Sequence, residues 1–219
     1  MTILSIETST AVYSAAICKD GALLKQCINY EGSNHARLLP LYVEQLLQFA
    51  RENKLTIEAV ALSEGPGSYT GLRIGTSTAK GLCYGLNVPL IPVPTLEVLK
   101  IASGVKEGIL IPMIDARRME IYTMIDGETK AVVVENEASL YAGDAAVYYF
   151  GDGAEKCAKI FTKPNWHYVP NVVPEAKYLA NYVESILNNT PGRHVDIAYY
   201  EPYYLKEFIA ATSHIKGLS

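Results

Sequence analysis

The order of the predicted strands and helices is the feature that most limits how this chain can fold. Three short strands open the sequence, and the Asp20–Gly21 pair predicts a hairpin between the second and the third. A helix follows, and then strand, helix, strand and helix in turn. The predicted ranges are 2–7, 13–19, 22–29, 35–52, 59–63, 69–85, 89–93 and 95–103. An antiparallel meander that leads into alternating helices and strands predicts an α/β fold with a mixed sheet flanked by helices.

The second half repeats this pattern on a smaller scale. A polar stretch at 104–108 precedes three more predicted strands, which are separated by two tight turns. A strand, a Gly-Asp-Gly turn at 151–153 and a short helix come next, and an amphipathic helix spans 175–189. We therefore predict two related domains, residues 1–103 and 104–219.

Composition limits the classes of partner. The chain has 219 residues, of which 49% are hydrophobic, and a net charge of −4. It has no apolar run of about 18 residues and no basic leader, so neither a membrane span nor a secretory signal is expected. The dispersed cysteines predict buried thiols in a reducing cytoplasm; they are Cys18, Cys27, Cys83 and Cys157. Without a basic stripe, contact with a tRNA is expected to be indirect, with another chain supplying most phosphate contacts.

The stretch "SEGPGSYTGLRIGTSTAKGLCYG", residues 63–85, contains six glycines. It lacks the P-loop pattern and the dinucleotide-binding pattern GxGxxG. Its first part nevertheless joins a strand to the start of a helix, where free backbone N–H groups can hold an anion. Two interpretations stay open at this point: a phosphate or ligand site, or a tight turn in which Ser68 or Thr70 caps the helix.

The glycines inside the predicted helix 69–85 need another explanation, since each costs about 1 kcal/mol relative to alanine. Gly71 and Gly75 share one face with Ala79, while Gly81 and Gly85 share another with Thr78. Bare faces allow another backbone to approach closely, and we predict that this helix forms a subunit interface with helix 35–52. The predicted interface residues are His35, Leu38, Leu39, Tyr42, Leu46, Tyr69, Gly71, Leu72, Gly75, Thr78 and Leu82.

Helix 35–52 carries an apolar surface wider than one core needs. Ser33 or Asn34 is predicted to cap it, and Pro40 is expected to kink it or to mark its true start.

The element order described above is also the repeated unit of the actin-like ATPase superfamily. Within it, the motifs "LSIETSTAVYSAAI", "HARLLPLYVEQLL", "GPGSYTGLRIGTSTAKGL", "PLIPVPTLEVL", "DARRMEIY", "GDG" and "PYYLKEF" resemble those of the TsaB family. The resemblance implies an actin-like fold of two domains, usually dimeric, in the bacterial machinery that makes N6-threonylcarbamoyladenosine in tRNA. It also implies a larger catalytic homologue, TsaD, and a small ATPase, TsaE, which uses ATP, as partners.

In the catalytic homologue, the segment after the equivalent strand carries two metal-binding histidines four residues apart. The matching positions here are Thr95 and Leu99, and leucine cannot coordinate a metal. The histidines that are present show no such spacing; they are His35, His167, His194 and His214. We therefore expect no metal site, no cofactor requirement and no catalysis by this chain alone. An actin-like phosphotransferase or ATPase is an alternative, and a peptidase is a weaker one, since "GPGSYTG" is not the GxSxG nucleophile motif.

A vestige of the superfamily's phosphate site is also implied. Glu7, Thr8 and Ser9 occupy the position of its phosphate-binding hairpin, but "ETST" lacks the usual glycine. Weak nucleotide binding stays open on this basis. The remaining candidate contacts are Gly67, Ser68, Asp115, Gly151, Asp152 and Gly153.

Two further sets of residues can each be interpreted either as ordinary structural features or as functional contacts. Asp115, Arg117 and Arg118 lie at a predicted hairpin turn, where charges either face solvent or contact a partner or RNA. The tyrosines of "AYYEPYYL" are predicted to serve core and interface packing rather than base stacking, because no Lys or Arg is interleaved with them.

Overall fold

The structure is a computed structural model that describes residues 1–32, 34–189 and 194–206; the side chains of 187–189 are not among the described groups. Within these residues the fold has ten strands and five α-helices. The strands are β1 Thr2–Glu7, β2 Tyr13–Lys19, β3 Ala22–Asn29, β4 Ala59–Gly65, β5 Leu90–Pro94, β6 Ile109–Asp115, β7 Glu120–Ile125, β8 Glu128–Val133, β9 Val147–Phe150 and β10 Trp166–Val169. The helices are α1 His35–Glu52, α2 Tyr69–Leu86, α3 Thr95–Ser103, α4 Ala154–Cys157 and α5 Ala176–Asn189.

The strands form two five-stranded sheets with the same internal order. The first sheet runs β3-β2-β1-β4-β5 and the second runs β8-β7-β6-β9-β10. In both, the first three strands pair antiparallel and the last two join in parallel. The repeated order confirms the predicted actin-like α/β fold and the relationship between the two halves.

Helices and sheets alternate in five layers. α1 and α2 cover one face of the first sheet, and α3 and α5 lie on its other face. α3 also packs against the second sheet, where Leu96 and Leu99 contact the cluster that contains Phe150. The outer face of the second sheet packs around Trp166, Tyr149 and α4. We call the first sheet with α1, α2, α3 and α5 the first lobe, and the second sheet with α4 the second lobe.

Most predicted ranges agree with the structure, and the exceptions are local. Helix α1 begins at His35, so Pro40 lies inside it and does not mark its start. Asn34 has a left-handed backbone and makes no side-chain cap, while Ser33 and His214 lie outside the described residues. Strand β10 was not predicted. The boundary near residue 104 stays a prediction; α5 follows that boundary in sequence and packs against the first sheet.

No helix in the described part of the chain combines the length and the apolar character that a membrane span requires. The four cysteines are free thiols, three of them buried and Cys27 half-buried.

Candidate functional site

A cleft of about 1150 Å³ opens between the two lobes. Its first-lobe wall comes from the loop after β1 and from the turn that starts α2, and its second-lobe wall comes from the β6–β7 hairpin. Residues near the described C-terminal end, 203–206, line a third side. Of the predicted phosphate or ligand contacts, the lining residues are Ser9, Gly67, Ser68, Asp115 and Asp152.

Glu7 ends β1 directly behind this wall and is fully buried. Its Oε1 accepts hydrogen bonds from the backbone N–H of Ser9 at 2.7 Å and from the Ser9 hydroxyl at 2.5 Å. Burial raises the pKa of Glu7, and the hydrogen bonds from Ser9 oppose that shift. The Ser9 donors of this loop are therefore bonded within the chain itself.

Backbone donors in the turn at the start of α2 are likewise hydrogen-bonded within the chain. The backbone N–H of Ser68 donates to the carbonyl of Ser9 at 2.6 Å. The Ser68 hydroxyl then accepts from the N–H of Gly71 at 3.2 Å, which confirms Ser68 as the helix cap. A Cβ atom at Gly67 would lie 2.3 Å from the Ser9 carbonyl, so only glycine permits this approach. Two donors at the helix start are thus satisfied by the chain itself.

On the second-lobe wall, Lys156 fixes the β6–β7 hairpin. Its ammonium group pairs with the Asp115 carboxylate and donates to the carbonyls of Arg118 at 2.8 Å and Glu120 at 2.6 Å. Asp152 accepts from the backbone N–H of Asp115 at 2.9 Å. The hairpin is held in one position by these bonds, which tie it to the turn that follows β9.

The tip of that hairpin carries both arginines in the left-handed backbone region, with φ of 73° at Arg117 and 53° at Arg118. Non-glycine residues adopt this conformation at a cost. Gly151 and Gly153 lie beneath, where each backbone contacts strand β6 too closely for a side chain. The structure therefore brings Asp115, Asp152 and the two glycines together, while their role as phosphate or ligand contacts stays a prediction.

Thr95 and Leu99 are completely buried. The Thr95 hydroxyl lies 2.7 Å from that of Ser63 and accepts from the N–H of Gly65 at 3.1 Å. Leu99 belongs to the apolar cluster between α3 and the second sheet. In the described residues, no three His, Cys, Asp or Glu side chains lie together as a metal site requires. His35 instead contacts the carbonyl of Thr10 and the ring of Tyr13.

The predicted interface residues divide into two groups. Five of them belong to the chain's own core, which corrects their assignment to an outer surface; they are Leu39, Leu46, Gly71, Leu72 and Gly75. The cause is that the face of α2 with Gly71 and Gly75 packs on the end of β1. The other six are half-exposed on α1 and α2; they are His35, Leu38, Tyr42, Tyr69, Thr78 and Leu82.

The outward glycines of α2 are Gly81 and Gly85. Apart from the neighbouring backbone of α2 itself, a Cβ atom at either would meet no atom of the described chain within 4 Å. On the same two helices, Tyr84 of α2 is 84% exposed and Leu41 of α1 is 48% exposed. The surface of α1 and α2 with Gly81, Gly85, Leu38, Tyr42, Thr78 and Leu82 is called the helical face below, whereas His35 and Tyr69 line the cleft.

Sequence reasoning missed two parts of the site. Lys156 was not singled out, although it follows the Gly-Asp-Gly turn by only three residues. Arg73 was also missed. It donates a hydrogen bond to the Tyr204 hydroxyl at 3.3 Å, but it lies on α2, 131 residues away from Tyr204 in sequence.

Comparison with known proteins agrees with this architecture. A family model described as "TsaD: tRNA N6-adenosine threonylcarbamoyltransferase" matches residues 30–199. The tRNA threonylcarbamoyladenosine biosynthesis protein TsaB of Bacillus subtilis (strain 168) is 36% identical over 124 residues, which are 56% of this chain and 54% of that protein. The protein of the same name from Escherichia coli (strain K12) is 36% identical over 56% of this chain and 53% of its own length.

The chain thus spans about half the length of these curated relatives. A solved structure described as YeaZ from Pseudomonas aeruginosa superposes with a TM-score of 0.73 at 25% identity, over 93% of this chain and 99% of that one. The family-model match covers well over half of the chain. Together with the TsaB relatives, it establishes that the chain belongs to the TsaB family, within the wider group of TsaD-like proteins.

Proposed function

We propose that this chain is a noncatalytic subunit in the biosynthesis of N6-threonylcarbamoyladenosine at position 37 of tRNAs that read ANN codons. It acts by binding and supporting a TsaD-type catalytic homologue through the helical face. A TsaE-type ATPase, which uses ATP, completes the set, and tRNA is reached through the assembled complex. The TsaB relatives support the pathway, since their names assign them to threonylcarbamoyladenosine biosynthesis.

The observation that carries the binding role is the pair of outward glycines on α2. Glycine in a helix interior costs about 1 kcal/mol relative to alanine. At Gly71 and Gly75 this cost is offset by the close packing of α2 against the end of β1, which only glycine permits. At Gly81 and Gly85 no packing contact with the described residues compensates for the cost, since side chains there would meet open space. Close approach of a second chain is the role that fits them.

The noncatalytic role is supported by Thr95 and Leu99. The threonine hydroxyl is committed to Ser63 and Gly65, and the leucine is core, so neither can hold a metal or a substrate group. A phosphotransferase or ATPase activity is disfavoured by the cleft walls, where Glu7 and Ser9 satisfy the donors that would bind phosphate. Residual nucleotide binding there is at most weak, and no cofactor is required.

The same face has a second expected occupant. Without the larger homologue, two copies of this chain pair through the helical face and form a homodimer, which the homologue displaces because both use α1 and α2. A two-fold contact of this type places the same residues on both sides.

Size-exclusion chromatography with light scattering tests the binding role directly. Gly81→Leu fills open space, so the variant folds as the wild type does, but its side chain blocks close approach. We expect wild type alone to be dimeric and to form a complex with a TsaD-type protein from the same source, and Gly81→Leu to be monomeric and to form none. Lys159→Leu on the exposed surface of the second lobe is the matched control and keeps both associations. Normal association of Gly81→Leu with the homologue contradicts the proposal.

A further inference from the structure

Residues 194–206, which we call the strap, run along one side of the cleft from the first lobe to the second. At its start, Val195 forms a bridge to Leu90 on edge strand β5, with N–H to carbonyl at 3.2 Å. At its end, the ammonium group of Lys206 pairs with the carboxylate of Glu120 on β7. One segment thus contacts both lobes.

The strap is fastened to α2 in its middle. The ammonium group of Lys80 donates to the carbonyls of Ala198 at 3.3 Å and Tyr200 at 2.9 Å. The ring of Tyr200 packs against the apolar cluster beneath α1 and α2. Lys80 thus binds two carbonyls that lie two residues apart, and the half-buried Tyr200 ring packs beside them, so this part of the strap is firmly attached.

The attachment continues at the cleft. The N–H of Tyr203 donates to the carbonyl of Glu64 at 2.8 Å. The next residue of β4, Gly65, has φ of +116°, and a Cβ atom there would lie 2.5 Å from the Tyr203 carbonyl. The strap can therefore pass here only because position 65 is glycine.

Tyr204 completes the first-lobe attachment. Its ring lies 5.0 Å from that of Tyr69, and its hydroxyl accepts from Arg73 at 3.3 Å. The guanidinium group of Arg73 in turn lies 4.2 Å from the centre of the Tyr69 ring. Because Tyr69 and Tyr204 both line the cleft, the strap forms part of its wall.

The strap is attached more strongly to the first lobe than to the second. Several hydrogen bonds, the half-buried Tyr200 ring and the tilted contact between the Tyr69 and Tyr204 rings hold it to the first lobe. In the described residues, its hydrogen-bonded contact with the second lobe is the Lys206–Glu120 pair, whose side chains are 46% and 21% exposed. Exposed ion pairs are weak and are screened by salt.

We propose that the strap is a latch for the cleft: it stays on the first lobe, and the Lys206–Glu120 pair fastens it to the second lobe and limits how far the lobes separate. When the pair is broken, the cleft widens while the strap remains on α2. The latch acts within one chain and does not depend on the function proposed above.

Electron paramagnetic resonance distances between the lobes test this device. Spin labels on Glu52→Cys of α1 and Lys159→Cys of the second lobe, in a Cys27→Ser background, report the opening; the other three cysteines are buried. We expect Lys206→Glu to shift or broaden the distances toward longer values. The charge swap Lys206→Glu with Glu120→Lys restores the wild-type distribution. Lys130→Glu, which breaks an exposed ion pair with Glu128 inside β8, is the matched control and leaves it unchanged.

Hydrogen exchange at the Tyr203 amide distinguishes two outcomes: breakage of the Lys206–Glu120 pair alone, and detachment of the whole strap from the first lobe. Circular dichroism confirms that each variant is folded. The latch predicts that Lys206→Glu keeps Tyr203 protected within about twofold of wild type while the interlobe distance changes. It also predicts that 1 M salt moves wild type toward the variant. An unchanged distance distribution in Lys206→Glu, no recovery in the charge swap, or loss of Tyr203 protection each overturns the proposal.

Discussion

A Cβ atom added to Gly75 would lie 2.3 Å from the hydroxyl oxygen of Thr8. That hydroxyl donates to the carbonyl of Gly71 one turn earlier, at 2.8 Å. The end of β1 is therefore pressed directly against the backbone of α2, and a side chain at position 75 has no room. This contact explains why the motif has glycines at these positions without reference to any partner.

The first prediction compares an inward glycine with an outward one. Gly75→Ala forces its methyl group into Thr8 and Leu62, and we expect it to lower the free energy of unfolding by about 1–3 kcal/mol. Gly81→Ala gains helix propensity without a clash and is expected to raise that free energy by about 1 kcal/mol. Urea denaturation of both variants measures the difference. Equal effects of the same sign would contradict the assigned orientation of α2.

The orientation of α2 illustrates what sequence could and could not supply. Helical spacing correctly put Gly71 with Gly75 and Gly81 with Gly85, because residues four apart share a face. It could not tell which face turns inward, since that depends on Thr8, which is more than sixty residues away along the chain. The interface assignment of Gly71 and Gly75 was wrong for this reason.

The strands show the same limit. The ranges of β1, β2 and β3 agree with prediction because tight turns and apolar runs are local signals. Strand β10 was missed: it has only four residues, and it pairs in parallel with β9, so no hairpin turn marks it. At the cleft, the Gly-Asp-Gly turn and Asp115 could be proposed from the family motifs. Contacts such as the one between Tyr203 and Glu64 could not be predicted from the sequence, because they join segments that are far apart along the chain and close together only in the folded structure.

The second prediction concerns the buried carboxyl group of Glu7. Burial raises its pKa above the unfolded-state value of about 4.3. A group with a raised native pKa contributes stability below its unfolded pKa, and this contribution is lost as pH rises through the native pKa. Glu7→Gln removes the loss, so the stability of the variant relative to wild type is expected to increase with pH above about 4.3.

Denaturant unfolding at a series of pH values measures this difference. Glu44→Gln on the exposed surface of α1 removes one negative charge elsewhere and is the control. A Glu7→Gln stability difference that stays flat with pH, or that falls as pH rises, would show that Glu7 is not the buried acid described here.

The third prediction is the order in which the cysteines react. Burial raises the pKa values of Cys18, Cys83 and Cys157 to about 11, so only about one thiol in a thousand is ionised at pH 8. Cys27 is half-buried and has a pKa that burial raises as well. Because of its greater exposure, we expect Cys27 to be alkylated first by iodoacetamide, with the other three modified only after unfolding. Mass spectrometry of the labelled peptides decides the order, and early labelling of Cys83 would argue against the packing of α2.

The fourth prediction is weak binding of tRNA by the chain alone. Its net charge is −4, and Lys156 of α4 and Lys206 of the strap are both paired with acidic side chains of the second lobe. We therefore expect the affinity for tRNA at physiological salt to be no stronger than about micromolar, the range of non-specific binding. Filter binding measures it, and a markedly tighter affinity for the chain alone would mean that it contacts RNA directly.

The most direct measurement of the central claim is threonylcarbamoyl transfer to tRNA in a reconstituted system with a TsaD-type protein and a TsaE-type ATPase from the same source. We expect no transfer by this chain alone, with or without added metal, and full transfer only when it is combined with the other proteins. Gly81→Leu should lose this support, while Lys159→Leu should retain it. Transfer by this chain alone, or equal transfer by the other proteins in its absence, would contradict the proposed supporting role.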